Sequence, residues 1–218
     1  ASNNTGIGYL ALNANTTGHQ NVAVGANALD ANTTASSNTA VGYDALTLNT
    51  TGYQNTAIGH KTLDVNTTGN DNVALGRAAL GSNTTASNNT AVGTSALTAN
   101  TTGTSNVAVG ANALDANTIA SHNTALGNSS LTANTTGAAN TAVGSNSMLA
   151  TTTGSDNVAV GTSTLQDNTT GGNNTAIGRS ALANNTSGTN NTAVGRNSLL
   201  ANTTGLFNTA IGDKAADS

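Results

Sequence analysis

Apolar and polar residues follow one another along this chain in an order that restarts every seventeen residues, with no insertion or deletion. The block from Asn38 to Gln54, NTAVGYDALTLNTTGYQ, shows the order, with its leading Asn as position one. Position two is Thr or Val, the Val residues being Val22, Val73, Val107 and Val158; position three is Ala except at Gly6. Position four is always Val, Ile or Leu, and Gly closes the run at position five, as at Gly25, Gly42, Gly59, Gly76, Gly93 and Gly110. Three successive small or β-branched residues ended by Gly predict a short strand, buried on both faces, that stops at a tight corner. A small residue followed by Leu at positions eight and nine, as in Ala45-Leu46, Ala96-Leu97 and Ser130-Leu131, predicts a second inward anchor. Positions twelve to fifteen read Asn-Thr-Thr-Gly, as at Asn49-Thr50-Thr51-Gly52. Asn and Gly at these offsets predict a corner with left-handed residues and side-chain-to-backbone bonds.

A fixed short period is the signature of a stacked repeat, and seventeen residues are too few for a pair of helices. The unit fits one coil of an all-β parallel β-solenoid, a β-roll, with two short strands and two corners per coil. Residues 1–218 then form one continuous array of about thirteen coils. At about 4.7 Å per coil the rod is roughly 60 Å long. Stacking sets like residues over like, so Asn38, Asn55 and Asn72 are expected in one hydrogen-bonded ladder and Asn49, Asn66 and Asn83 in another. The chain starts within one unit and stops within another, at Asp213 to Ser218, with no distinct front cap. It is therefore expected to be a segment of a longer fibre protein. Val, Ala and Leu make a thin core. Burial of the strand's second apolar face against copies of the same chain is the expected remedy, by cyclic symmetry in a side-by-side homotrimer or by end-to-end stacking into a filament.

Blocks such as Asn106-Val107-Ala108-Val109-Gly110 and Asn174-Thr175-Ala176-Ile177-Gly178 resemble the Asn-Ser-Val-Ala-Ile-Gly head repeats of trimeric autotransporter adhesins. That resemblance implies a left-handed parallel β-roll with three chains side by side. With the added Asn-Thr-Thr-Gly segment, the unit is also similar to repeats that precede intramolecular-chaperone domains in phage-type tail fibre proteins. The resemblance covers nearly the whole chain. It implies an extracellular place on a cell surface or virion fibre, and a cell-surface glycan or protein receptor as partner.

Composition narrows the functions. Charged residues are 6% and aromatics 2%, with Gly 25, Pro 0, Cys 0 and Trp 0. Such a composition suits disorder, but the unbroken phase of the apolar positions argues for a packed array. The five basic residues, Lys61, Arg77, Arg179, Arg196 and Lys214, are scattered and the net charge is −4, so no patch can neutralise a phosphate backbone. Nucleic acid is not an expected partner. No apolar run is long enough to span a bilayer, so membrane insertion is not expected either. Without cysteine there is no disulfide frame and no thiolate metal site.

Catalysis needs at least two side chains in a special relation, which in a repeat should appear as breaks in the pattern. The breaks here are His60, Arg77, Arg179, Arg196 and Asp213 at position six, Asp44, Lys61 and Lys214 at seven, Asp30, Asp64, Asp115 and Asp217 at ten, Asp167 at eleven, His19 at sixteen, and Asp71, His122 and Asp156 at seventeen. All lie beside corners and read as solvated surface residues. No nucleophile–base set, no metal-ligand spacing and no Asp recurring in every coil is present, so no catalytic, metal or cofactor site is expected. The Asn-Thr-Thr triplets match the glycosylation acceptor pattern, yet a corner plus a ladder already explains their phase. Two functions stand against each other. The first is a non-catalytic structural shaft or head of an adhesin or tail fibre. The alternative is ice binding through the position-thirteen rank Thr33, Thr50, Thr67, Thr84, Thr101 and Thr118. Alternation along an extended chain is expected to turn position fourteen the other way, leaving that rank single.

Overall fold

The computed structural model describes residues 1–217. Thirteen strands of three residues, from β1 (Thr5–Ile7) to β13 (Thr209–Ile211), form one parallel sheet in sequence order. In β3 (Thr39–Val41) and β4 (Thr56–Ile58), Thr39 lies opposite Thr56, Ala40 opposite Ala57 and Val41 opposite Ile58. Every other pairing keeps the same offset, so like positions meet along the sheet, as Val107 opposite Thr124 and Val158 opposite Thr175. The fold is a parallel β-solenoid, and no helix occurs among the described residues.

The expected second strand is absent: Ala45-Leu46 and its counterparts lie in turns. The cause is local. Position nine is left-handed in every coil, with φ of 53° at Leu46 and 52° at Leu114, and so is position seven, with φ of 54° at Asp44. A left-handed residue cannot continue a strand, and a non-glycine one costs about 1 kcal/mol in strain. The stack imposes it because it points Leu46 into the core, where Ala45 and Leu46 are fully buried. The backbone still bonds from coil to coil: the Leu29 N–H donates to the Ala45 carbonyl (3.1 Å), Leu46 to Thr62 (3.0 Å) and Ala31 to Thr47 (2.9 Å).

The corner conformations also fall elsewhere than expected. Left-handed non-glycine residues stand at positions seven, nine and seventeen, as at Asp44, Leu46 and Gln54, and not at the Asn-Thr-Thr-Gly segment. Position five is where glycine is needed. Gly110 has a φ of 139°, and a Cβ there would collide with the carbonyl of Gly127 in the next coil. Both the torsion and the close stacking exclude a side chain.

The strand is buried on one face, not two. Position three is the inward residue: Ala23, Ala40 and Ala57 are fully buried. Its neighbours at positions two and four turn outward, as strand alternation requires. Nothing within the single chain covers them, and Val73, Leu75 and Leu126 are 41%, 45% and 46% exposed. The core is therefore a narrow column of Ala at position three, Ala, Ser or Thr at eight and Leu at nine, flanked by two columns of buried Asn.

Candidate functional site

The most elaborate constellation in the molecule is the pair of asparagine columns. At position one, the Asn55 backbone N–H donates to Asn38 Oδ1 (2.9 Å), and Asn55 Nδ2 donates to the Gly69 carbonyl (2.8 Å). One coil on, both Asn72 N–H groups reach Asn55 Oδ1, from the backbone at 3.0 Å and from Nδ2 at 3.0 Å. At position twelve, Asn49 Nδ2 bonds to Asn32 Oδ1 (3.2 Å) and to the Gly52 carbonyl (2.8 Å). Asn66 donates to Asn49 Oδ1 and Asn83 to Asn66 Oδ1, each at 2.9 Å. These side chains are buried, which a polar amide tolerates only when its donors and acceptors are met. Except around Thr151, each column meets them by passing bonds from coil to coil and closing its own corner. The amide nitrogens of Asn32, Asn49, Asn66 and Asn83 are thus enclosed, and the folded chain does not offer them for glycosylation.

The threonines at positions thirteen and fourteen do not point to opposite faces. The chain bends there, so Asn at twelve and Gly or Ala at fifteen turn inward, leaving both threonines outside. Thr34, Thr51, Thr68, Thr85 and Thr102 are exposed, while Thr33, Thr50, Thr67, Thr84, Thr101 and Thr118 are half-buried. The hydroxyls of this half-buried rank are engaged. Thr33 Oγ1 donates to the Thr50 carbonyl (3.2 Å), Thr50 to Thr67 (3.0 Å), Thr67 to Thr84 (3.0 Å) and Thr101 to Thr118 (3.0 Å). Each hydroxyl is held in one orientation, with its remaining lone pairs toward solvent.

The outward strand face is a third regular surface. It carries Thr or Val at position two and Val, Ile or Leu at position four, with no charged residue in any coil. Thirteen strands spaced about 4.8 Å apart and about 10 Å long give it an area of about 600 Å².

Pattern breaks gather around Tyr43, Asp44, His60, Lys61 and Asp64 in two adjacent coils. Tyr43 and His60 stack across adjacent coils, with ring centroids 5.4 Å apart and planes at 15°. Beside them, Asp44, Thr47, Leu48, Asp64 and Val65 line a cleft of about 150 Å³. Partial burial raises the Asp64 carboxyl above the ordinary 3.8, and the nearby Asp44 adds to the rise; a backbone bond and Lys61 pull the other way. Partial burial likewise raises Asp115. No cluster of metal-ligating side chains occurs among the described residues. Arg196 and Asp213 form an exposed two-pronged ion pair (2.8 and 2.9 Å) that lowers the Asp213 carboxyl. His19, His122, Asp30, Asp71 and Asp156 remain dispersed along the rod, as their spacing in the chain requires.

Comparison with family models, with curated proteins and with solved structures returns no match.

Proposed function

We propose that this chain is a non-catalytic structural rod, the shaft or head segment of an extracellular adhesin or tail fibre, with one seventeen-residue coil per repeat. Its self-association is a side-by-side homotrimer closed through the outward strand face. The observation that carries this reading is the uncovered, uncharged strand face, with Val, Ile or Leu at position four of every coil and Thr or Val at position two. The face covers about 600 Å², threonines included. It approaches the about 800 Å² per partner of a stable interface, before flanking residues are added. The resemblance to adhesin heads and tail fibres adds the place outside the cell and the receptor, a glycan or a protein. Sedimentation equilibrium tests the assembly: the particle should have three times the 21.1 kDa of one chain. Lysine at Val92, Val109 and Leu126 should dissociate it. A wild-type monomer at micromolar concentration would overturn the trimer.

A second reading is favoured by the bend at positions thirteen and fourteen, which places two threonine ranks outside where one was expected. A rigid double rank of hydroxyls and methyls repeating at about the strand spacing is a surface on which water can order as ice. Thermal hysteresis at millimolar protein, lost when Thr51, Thr68 and Thr85 become Lys, would support it; its absence in the wild type would remove it.

A further inference from the structure

The position-twelve column is continuous from Asn15 to Asn134 and again from Asn168 to Asn202, but between them it is broken. Thr151 stands where every other coil has Asn. A threonine hydroxyl is too short to bridge two coils, and the consequences are visible on both sides. Asn134 Oδ1 and Thr151 Oγ1 are buried without a partner, and Asn168 Nδ2 is left with only its own corner, the Gly171 carbonyl (3.0 Å). Ser130 Oγ, one coil before Thr151, is unpartnered as well. Of the four unpartnered buried side-chain atoms among the described residues, three therefore fall within two neighbouring coils. The same coil carries Met148, the one methionine of the chain, at the position that Leu fills in every other coil but the last, where Ala216 stands. Methionine is unbranched, and it specifies packing less firmly than leucine.

In a stack each coil touches only its neighbours, so the array's stability is a sum of coil and interface terms. Two successive interfaces, Asn134 to Thr151 and Thr151 to Asn168, lack the side-chain bond that the others have. We infer that the coil around Thr151 is the point at which the interior of the rod opens first. Opening there divides the rod into a longer part ending at β8 (Thr124–Leu126) and a shorter one starting at β10 (Val158–Val160). The backbone bonds that persist, Thr135 N–H to Thr152 (3.0 Å) and Thr152 N–H to Thr169 (2.9 Å), are the ones that must break, so their exchange reports the opening. The inference concerns the single-chain stack and holds whether or not chains associate.

Native-state hydrogen exchange, read by mass spectrometry on the intact chain, tests this. Segments 134–137 and 151–154 should exchange about tenfold faster, after correction for intrinsic rates, than the equivalent 100–103 and 117–120. Thr151→Asn should restore the slower rate in both segments and leave the others unchanged. Asn100→Thr, in a coil with no other irregularity, should create a second fast segment at 83–86 and 100–103. Equal protection of all four wild-type segments would overturn the inference, as would be found if a bound water satisfied the gap. Fast exchange that Thr151→Asn does not slow, or an Asn100→Thr variant without a new fast segment, would overturn it too.

Discussion

Replacing Asn66 by Ala tests the asparagine column where it is complete. The side chain donates to Asn49 Oδ1 (2.9 Å) and to the Gly69 carbonyl (3.0 Å), and its Oδ1 accepts from Asn83 Nδ2 (2.9 Å). Losing three bonds costs about 3 kcal/mol, at about 1 kcal/mol net for each. The survivors are not equally affected. Gly69 keeps the bond from Asn55 Nδ2 (2.8 Å) and Asn83 keeps that to Ala86 (3.1 Å), but Asn49 Oδ1 is buried with nothing to accept. An orphaned buried acceptor adds about 1 kcal/mol or more, so the expected loss is about 4 kcal/mol. Asn202→Ala is the matched control. Asn202 is only part-buried, donates to Asn185 Oδ1 (2.9 Å) and weakly to Gly205 (3.4 Å), and receives no bond from a following coil. Its replacement loses one full bond and one weak one and leaves the buried Asn185 Oδ1 without a donor, so it should cost about 2 kcal/mol. Urea unfolding followed by circular dichroism, at one fixed chain concentration, gives both values. Equal midpoints for the two variants, or Asn66→Ala within about 1 kcal/mol of wild type, would refute the role given to the column.

Other outcomes follow from the same geometry. Both Gly93 and Gly103 abut the next coil's backbone, but only Gly93 has a positive φ (134°), and position fifteen already takes Ala at Ala35, Ala86 and Ala120, so Gly93→Ala should cost much more than Gly103→Ala; thermal melts compare them. Leu114→Val should destabilise by about 3 kcal/mol or more, against about 1 kcal/mol for Leu114→Met, because a β-branched residue at φ of 52° adds strain to lost volume; unfolding midpoints measure the difference. The raised Asp64 carboxyl means the folded chain holds its proton more tightly than the unfolded chain. Stability from this group therefore falls as pH rises from below the ordinary 3.8 through the raised folded value, and is level above it. Asp64→Asn should melt higher than wild type at neutral pH, and the gap should close as the pH is taken below that window.

Much of this architecture is legible in the chain, and the exceptions have a common origin. The ranks of Asn, Ala and Gly at one, three and five, the inward Leu at nine and the parallel stacking of coils all follow from the period, because identical residues can share an environment only by standing over one another. The turn around Leu46 is different. Its left-handed torsion is a property of backbone closure in a tight coil, and leucine has no intrinsic preference for it. A signal is nevertheless present. In a chain rich in Val, Ile and Thr, none of them occurs at positions seven, nine or seventeen, and Asn, Asp and Ser crowd seven and seventeen. Exclusion of β-branched residues marks φ > 0 as surely as glycine does. The outward strand face is not legible for another reason: apolar residues at two and four, as at Val107 and Val109, give the same pattern whether a neighbour inside or outside the chain covers them. The bend that exposes both Thr50 and Thr51 is likewise set by the inward pull of Asn49 and Gly52 on either side, which alternation alone does not register.

The chain has no cysteine, so pairs of introduced cysteines can carry spin labels without background. Labels on the exposed position-fourteen threonines, Thr34 with Thr68, Thr102, Thr136 or Thr170, sample two, four, six and eight coils. With labelled chains diluted in unlabelled ones, pulsed electron–electron dipolar spectroscopy should return distances that grow linearly, by about 4.8 Å per seventeen residues, to about 38 Å for Thr34 and Thr170. Distances that level off, or that depart from this straight line by more than the reach of the labels, would contradict a stack of one coil per repeat.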